Sequence, residues 1–170
     1  MRIMLVLVLF CGCNYYESIY NDILSGMEGL FYNKDEGKRQ LAEMREDITT
    51  AEEMITWYWS IGFEYDEDPL WGLVDFMSKP WVTVQKNAGD CEDTAALTEY
   101  ILRGRYEESG IMLVKDGSSG HAMFVYSECS YWWYIPNMHS TRGPYDTLED
   151  VAESIFSGYD HMSIINYYSW

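Results

Sequence analysis

Basic residues are scarce in this chain: 11 Lys and Arg stand against 28 Asp and Glu over 170 residues, a formal net charge of −17. Nucleic-acid recognition needs clustered Lys and Arg against phosphates, and none are clustered here, so nucleic acid is not an expected partner. Acidity at this level favours solubility and repels anionic surfaces and substrates. Cysteine is sparse too. The four at positions 11, 13, 91 and 129 make no disulfide framework in a chain this long. There is no C-x-x-C pair, and the histidines at 121, 139 and 161 are too scattered to suggest a zinc site. No apolar run reaches the ~20 residues of a membrane-spanning helix. Internal repeats and interdomain linkers are also lacking, so residues 14–170 read as a single domain able to bury a core. What the chain does have is apolar residues at 48 % and aromatics at 16 %, the composition of a folded protein.

The first 13 residues admit three readings. Met1-Arg2, an apolar run from Ile3 to Phe10 and then Cys11-Gly12-Cys13 follow the order of a secretory signal. Gly12-Cys13 also resembles the lipobox of bacterial lipoprotein signals, which would make Cys13 a lipidated residue and anchor the protein to a membrane in the cell envelope. The third reading is a buried N-terminal element of a cytoplasmic domain.

The stretch that organises the rest is Asn87-Ala88-Gly89-Asp90-Cys91-Glu92-Asp93-Thr94-Ala95-Ala96-Leu97. Gly89 allows a close backbone approach, and Asp90 is a natural N-cap. Glu92 and Asp93 suit a helix's first turn, and Ala95, Ala96, Leu97, Tyr100 and Ile101 supply its buried stripe. Cys91 therefore falls at a helix N-terminus, where unpaired N–H groups and the dipole favour a thiolate. The neighbouring acids oppose that effect, so a basic partner is needed, and His121 and Asn137 are the downstream candidates for partner and orienter. Taken alone, a free cysteine is more often an inert buried hydrophobe.

Along the chain, helical spacing covers Tyr15 to about Gly26, a Gly-rich break spans Gly26 to Gly29, and Asn33 to Gly37 reads as a polar stretch. Lys38 to Asp47 reads as a charged helix with a stripe of Leu41, Met44 and Ile48. Thr50 and Glu53 have capping-box spacing and open a helix through Ile61, ended by Gly62, whose aromatics are expected in the core. An acidic extended segment (63–69) and a short helix (71–77) stopped by Pro80 follow. Trp81 to Gln85 leads into the cysteine loop, and the cysteine helix is expected to run to about Tyr106. Strands are expected at 111–114, 121–127 and 131–135, with Cys129 in the hairpin turn between the last two. A loop from His139 to Tyr145, a helix from Leu148 to Phe156 and a strand from about Met162 to Tyr168 complete the chain. Helices first and an antiparallel sheet after them make an α+β arrangement, with the cysteine helix packed on the sheet.

From about Thr50 to Asn137 this order resembles the transglutaminase-like superfamily, within the papain-like cysteine peptidase fold. The resemblance rests on Gly89-Asp90-Cys91-Glu92-Asp93, on Gly120-His121-Ala122 opening a strand, and on Trp132-Trp133-Tyr134-Ile135-Pro136-Asn137. It implies Cys91 as nucleophile, His121 as the base and Asn137 as the group that orients the imidazole. Most transglutaminase-like members carry Asp at that third position, whereas papain-type peptidases use Asn. Gln85, six residues before Cys91, matches the spacing of the papain-type oxyanion glutamine. Trp81 matches an aromatic lining the transglutaminase substrate channel. For both, ordinary loop structure is the competing reading, and Asn137 after Pro136 also reads as a plain turn residue. The implied activity is cysteine-dependent acyl transfer on a protein or peptide substrate, most simply by a peptidase or amidase, with no metal or cofactor. The alternatives are a non-catalytic module that binds a protein or peptide beside Cys91, and a small acidic surface lipoprotein.

Overall fold

Asn33 caps α1 (Lys34–Asp47): its side-chain carbonyl accepts from the N–H groups of Asp35 and Glu36 at 3.1 and 3.2 Å. This computed structural model describes residue 26 and residues 29–66, 77–117 and 119–165. The expected signal or lipidation segment with Cys13, the helix before Gly26 and the short helix at 71–77 lie outside them. Residues 26 and 29–31 are helical, which corrects the expected break at 26–29, and α1 starts at Lys34, within the polar stretch at 33–37. Gly37 lies inside α1 because a Cβ there would collide with the Trp81 carbonyl and the Gln85 amide. The glycine serves close packing rather than a turn. As the spacing predicts, Leu41, Met44 and Ile48 are buried.

The capping box forms: Thr50 Oγ1 accepts from the Glu53 N–H at 3.2 Å, and the Glu53 carboxylate accepts from the Thr50 N–H at 3.2 Å. It opens α2 (Ala51–Ile61), which Gly62 closes in the left-handed conformation at φ 65°. A two-residue strand, β1 (Glu64–Tyr65), runs parallel to β2 (Ala88–Gly89) and ties the end of α2 to the cysteine loop. Between them comes α3 (Pro80–Lys86), where the sequence suggested only a lead-in to that loop. Pro80 is its first residue, where proline's missing N–H costs nothing. Val82, Thr83 and Val84 are weak helix formers, so local propensity hides this helix. Burial of all three decides in its favour.

The cysteine helix, α4 (Cys91–Leu102), ends earlier than expected, and Gly104 at φ 79° follows it. Then come β3 (Ser109–Asp116), β4 (Ser119–Glu128), β5 (Tyr131–Ile135), β6 (Arg142–Tyr145), α5 (Leu148–Ile155) and β7 (His161–Ile165). The tip between β4 and β5 has Cys129 and Ser130 both at positive φ, 54° and 69°, as a tight hairpin requires. β6 fills part of the expected 139–145 loop. The five longer strands form one antiparallel sheet in the order β6-β5-β4-β3-β7. The chain is thus α+β, with α4 on one sheet face and α5 on the other.

Strand alternation divides the core. Ala122, Phe124 and Tyr126 face the α4 side, packed with Ala95, Ala96, Leu97 and Ile101. Met123 and Val125 face α5, packed with Met112, Val114, Val151 and Ala152. Each fully buried Leu or Ile of this kind contributes about 1.5–3 kcal/mol of transfer free energy.

Candidate cysteine site

Every residue of the Gly89-to-Asp93 segment has a local job. Gly89 lies so close to Asp93 that a Cβ would sit 2.5 Å from the Asp93 Cβ. Asp90 is the N-cap, its Oδ1 accepting from the N–H groups of Glu92 and Asp93 at 3.1 and 3.3 Å. Asp93, itself buried, accepts from the Ser78 N–H at 2.6 Å and so fixes the segment before α3. Thr94 donates its hydroxyl to the carbonyls of Asp90 and Cys91 at 2.9 and 3.1 Å. From α2, the Tyr58 hydroxyl lies 3.1 Å from the Thr94 carbonyl and 3.0 Å from the Thr98 hydroxyl. The first turns of α4 are therefore held from three sides.

Cys91 is the first residue of α4 and is only 9 % exposed. Its thiol donates to Glu92 Oε2 at 2.9 Å. The Ala122 backbone favours the thiolate. Burial, the Glu92 charge and the Glu92 hydrogen bond outweigh it, with Asp90 adding to them, and the thiol is pushed well above its ordinary range. The dipole that would favour a thiolate is largely committed, because Asp90 already occupies two of the N–H groups.

His121 directly precedes Ala122, which packs against Cys91. The register pairs His121 with Val114, and Ala122 with Leu113. Ala122 packs with Cys91, with Leu113 partly buried against them, whereas Val114 packs on the α5 side. By alternation the imidazole leaves β4 on the face opposite the thiol. His121 is half-buried, and this burial lowers its pKa, so the ring is neutral at pH 7. Among the described residues no hydrogen bond joins it to Cys91 or Asn137. The basic partner expected for the thiol is not paired with it here.

Asn137 lies just past the end of β5, at φ 54°. The last β4–β5 pair is Phe124–Ile135, so Asn137 sits in the turn that follows the end of that ladder. Its Oδ1 is buried and has no hydrogen-bond partner, an arrangement that costs about 1–3 kcal/mol. The structure thus gathers Cys91, the His121–Ala122 backbone and the Asn137 turn at one end of the sheet, without linking their side chains.

Gln85 and Trp81 hold different posts from those expected. The Gln85 amide donates to the Trp81 carbonyl at 2.6 Å and accepts from the Asn33 N–H at 3.0 Å. It clips α3 to the start of α1 instead of pointing a donor at an oxyanion. Trp81, 4 % exposed, sits in the main core with Leu41 and Met44. The aromatic that periodicity missed is Trp59. Expected in the core, it is 68 % exposed, and its indole N–H donates to the Met138 carbonyl at 2.8 Å, bracing the turn that carries Asn137. A polar tip at the right distance from a later turn leaves no signal in local spacing. His139 and His161 are both exposed.

A cavity of about 460 Å³, lined in part by Glu99, Arg103, Glu108, Trp132 and Leu148, opens at the other end of α4. Twelve helical residues make a separation of about 18 Å along the axis, so this space does not serve Cys91. Compared with family models and with curated proteins, the chain matches none.

Proposed function

We propose that this chain is a cysteine-dependent acyl-transfer enzyme of the transglutaminase-like, papain-related kind, most simply a peptidase or amidase, in a resting state. The observation that carries the reading is the packing of Cys91 against Ala122 in one buried cluster. It joins the start of the cysteine helix to the strand residue directly after His121. The unpartnered Asn137 Oδ1, at the end of the neighbouring strand, supports it.

In this reading His121 swings round the stretch of β4 that lies beyond the last β5 pair. It takes the thiol proton while Asn137 Oδ1 accepts from the other ring N–H. The sulfur attacks the substrate carbonyl, and the Cys91 N–H, with no intrahelical acceptor at this position, stabilises the oxyanion. The C–N bond breaks as the imidazolium returns its proton to the departing amine. Water then cleaves the thioester, releasing the acid and restoring the thiol.

A second reading has its own observation. The buried thiol bonded to Glu92, with the imidazole on the opposite strand face, also suits a non-catalytic module that binds a protein or peptide. Iodoacetamide alkylation of Cys91 against pH, in wild type and His121→Ala, separates the two, with peptide mapping to exclude the other cysteines. Reaction persisting below about pH 7 and lost in the variant supports the enzyme. Titration at or above the ordinary ~8.5, identical in both proteins and still so once Glu92 is replaced by Gln, leaves the binding module.

A further inference from the structure

Glu92 stands one residue after the nucleophile proposed above, and its Oε2 receives the Cys91 hydrogen at 2.9 Å. We infer that Glu92 is a latch on Cys91: it holds the sulfur protonated and turned toward the carboxylate, so the thiol becomes reactive only when that carboxylate is drawn away or neutralised. The inference deepens the acyl-transfer reading by giving its resting state a cause.

The surroundings explain why one side chain can have this control. On its own helix the sulfur faces Asp90 and Glu92, both acidic. From β4 come the Ala122 backbone, which favours the thiolate, and His121, one residue before it, its pKa lowered by burial. The remaining neighbours are apolar: Ala95, Ala96, Ile111 and Ala122, with Met77, Leu113 and Ile165 packed around them. Asp90 is committed to the helix N–H groups. Glu92 is the acid hydrogen-bonded to the thiol itself. It is half-buried, so its charge is incompletely screened. While the bond stands, no proton is transferred: the hydrogen stays on sulfur. Opening the latch removes an acceptor that stabilises only the thiol and a charge that opposes the thiolate.

The test is the rate of Cys91 alkylation by iodoacetamide, a neutral probe indifferent to site charge, at pH 7.5. Wild type is compared with Glu92→Gln and Glu92→Ala, each checked for wild-type circular dichroism. The expected result is a rise of about tenfold or more in at least one variant, the effect of one pKa unit on the thiolate fraction. Two variants guard against misfolding of either. Unchanged or slower alkylation in both overturns the latch. His121→Ala, placed in the Glu92→Gln background, keeps the two ideas apart. Faster alkylation that ignores His121 upholds the latch and removes the acyl-transfer reading. His121-dependent alkylation that ignores Glu92 does the reverse.

Discussion

The two ends of α4 handle charge in opposite ways. At the carboxyl end, Arg45 reaches across from α1 and donates to the Tyr100 carbonyl at 2.7 Å and the Arg103 carbonyl at 3.5 Å, while its guanidinium lies 5.4 Å from the centre of the Tyr100 ring. Arg103 forks onto the Glu99 carboxylate at 2.8 and 2.6 Å, and that carboxylate is only 3 % exposed. Cations near carbonyls and the negative dipole end make this a stabilising arrangement. At the amino end, Asp90 satisfies the dipole, and the cysteine beside it is left facing a second acid. One end is tuned for stability, whereas the other keeps a thiol protonated where a helix start alone would favour its ionisation. A helix N-terminus thus does not activate a cysteine by itself: what matters is which group already holds the N–H donors.

The contrast breaks most visibly at the carboxyl end. Arg103→Met leaves the Glu99 carboxylate buried without its partner and should cost about 3 kcal/mol, read as a lower urea midpoint at neutral pH. A loss below about 1 kcal/mol would place that end among ordinary surface pairs.

Asp90→Ala sharpens the contrast, because its two readouts move in opposite senses. Stability should fall by about 1 kcal/mol with loss of the N-cap, while Cys91 alkylation at pH 7.5 speeds up as two N–H groups and one fewer acid face the sulfur. Lower stability with slower alkylation would mean that the cap positions the thiol rather than competing with it.

The smallest expected effect is a slope. Cys91 is raised in the folded protein, so the fold retains its proton where the unfolded chain loses it near ~8.5. The stability it contributes is complete below about pH 8.5 and drains away as pH rises beyond that. Melting temperatures of wild type should decline between pH 8.5 and 10, and Cys91→Ser should show a flatter line. Above pH 10 Tyr58 and Tyr126, also raised chiefly by burial, steepen both curves. Parallel lines below pH 10 would show that the thiol is not held protonated by the fold.

Local chemistry made much of the architecture readable. Thr50 with Glu53, Gly62 and Asp90 mark helix ends through hydrogen bonds that span a few residues, and these form at the expected places. Alternation along 121–127 assigned the two faces of β4, because a strand's side chains change sides at every step. α3 and β6 escaped notice for the converse reason. Weak helix formers at 82–84 and a short strand after a turn acquire their form from neighbours distant in sequence.

The candidate site divides along the same line. Sequence alone determined that Cys91 starts a helix behind an aspartate cap and that His121 lies near the start of a strand, since both follow from residues within one turn or one strand. Only the tertiary structure decided that Gln85 and Trp81 serve the scaffold, that Trp59 braces the Asn137 turn, and that Glu92 takes the Cys91 hydrogen ahead of His121. Those outcomes depend on burial and on which donor meets which acceptor across elements, and side-chain direction in space is not encoded in spacing along the chain.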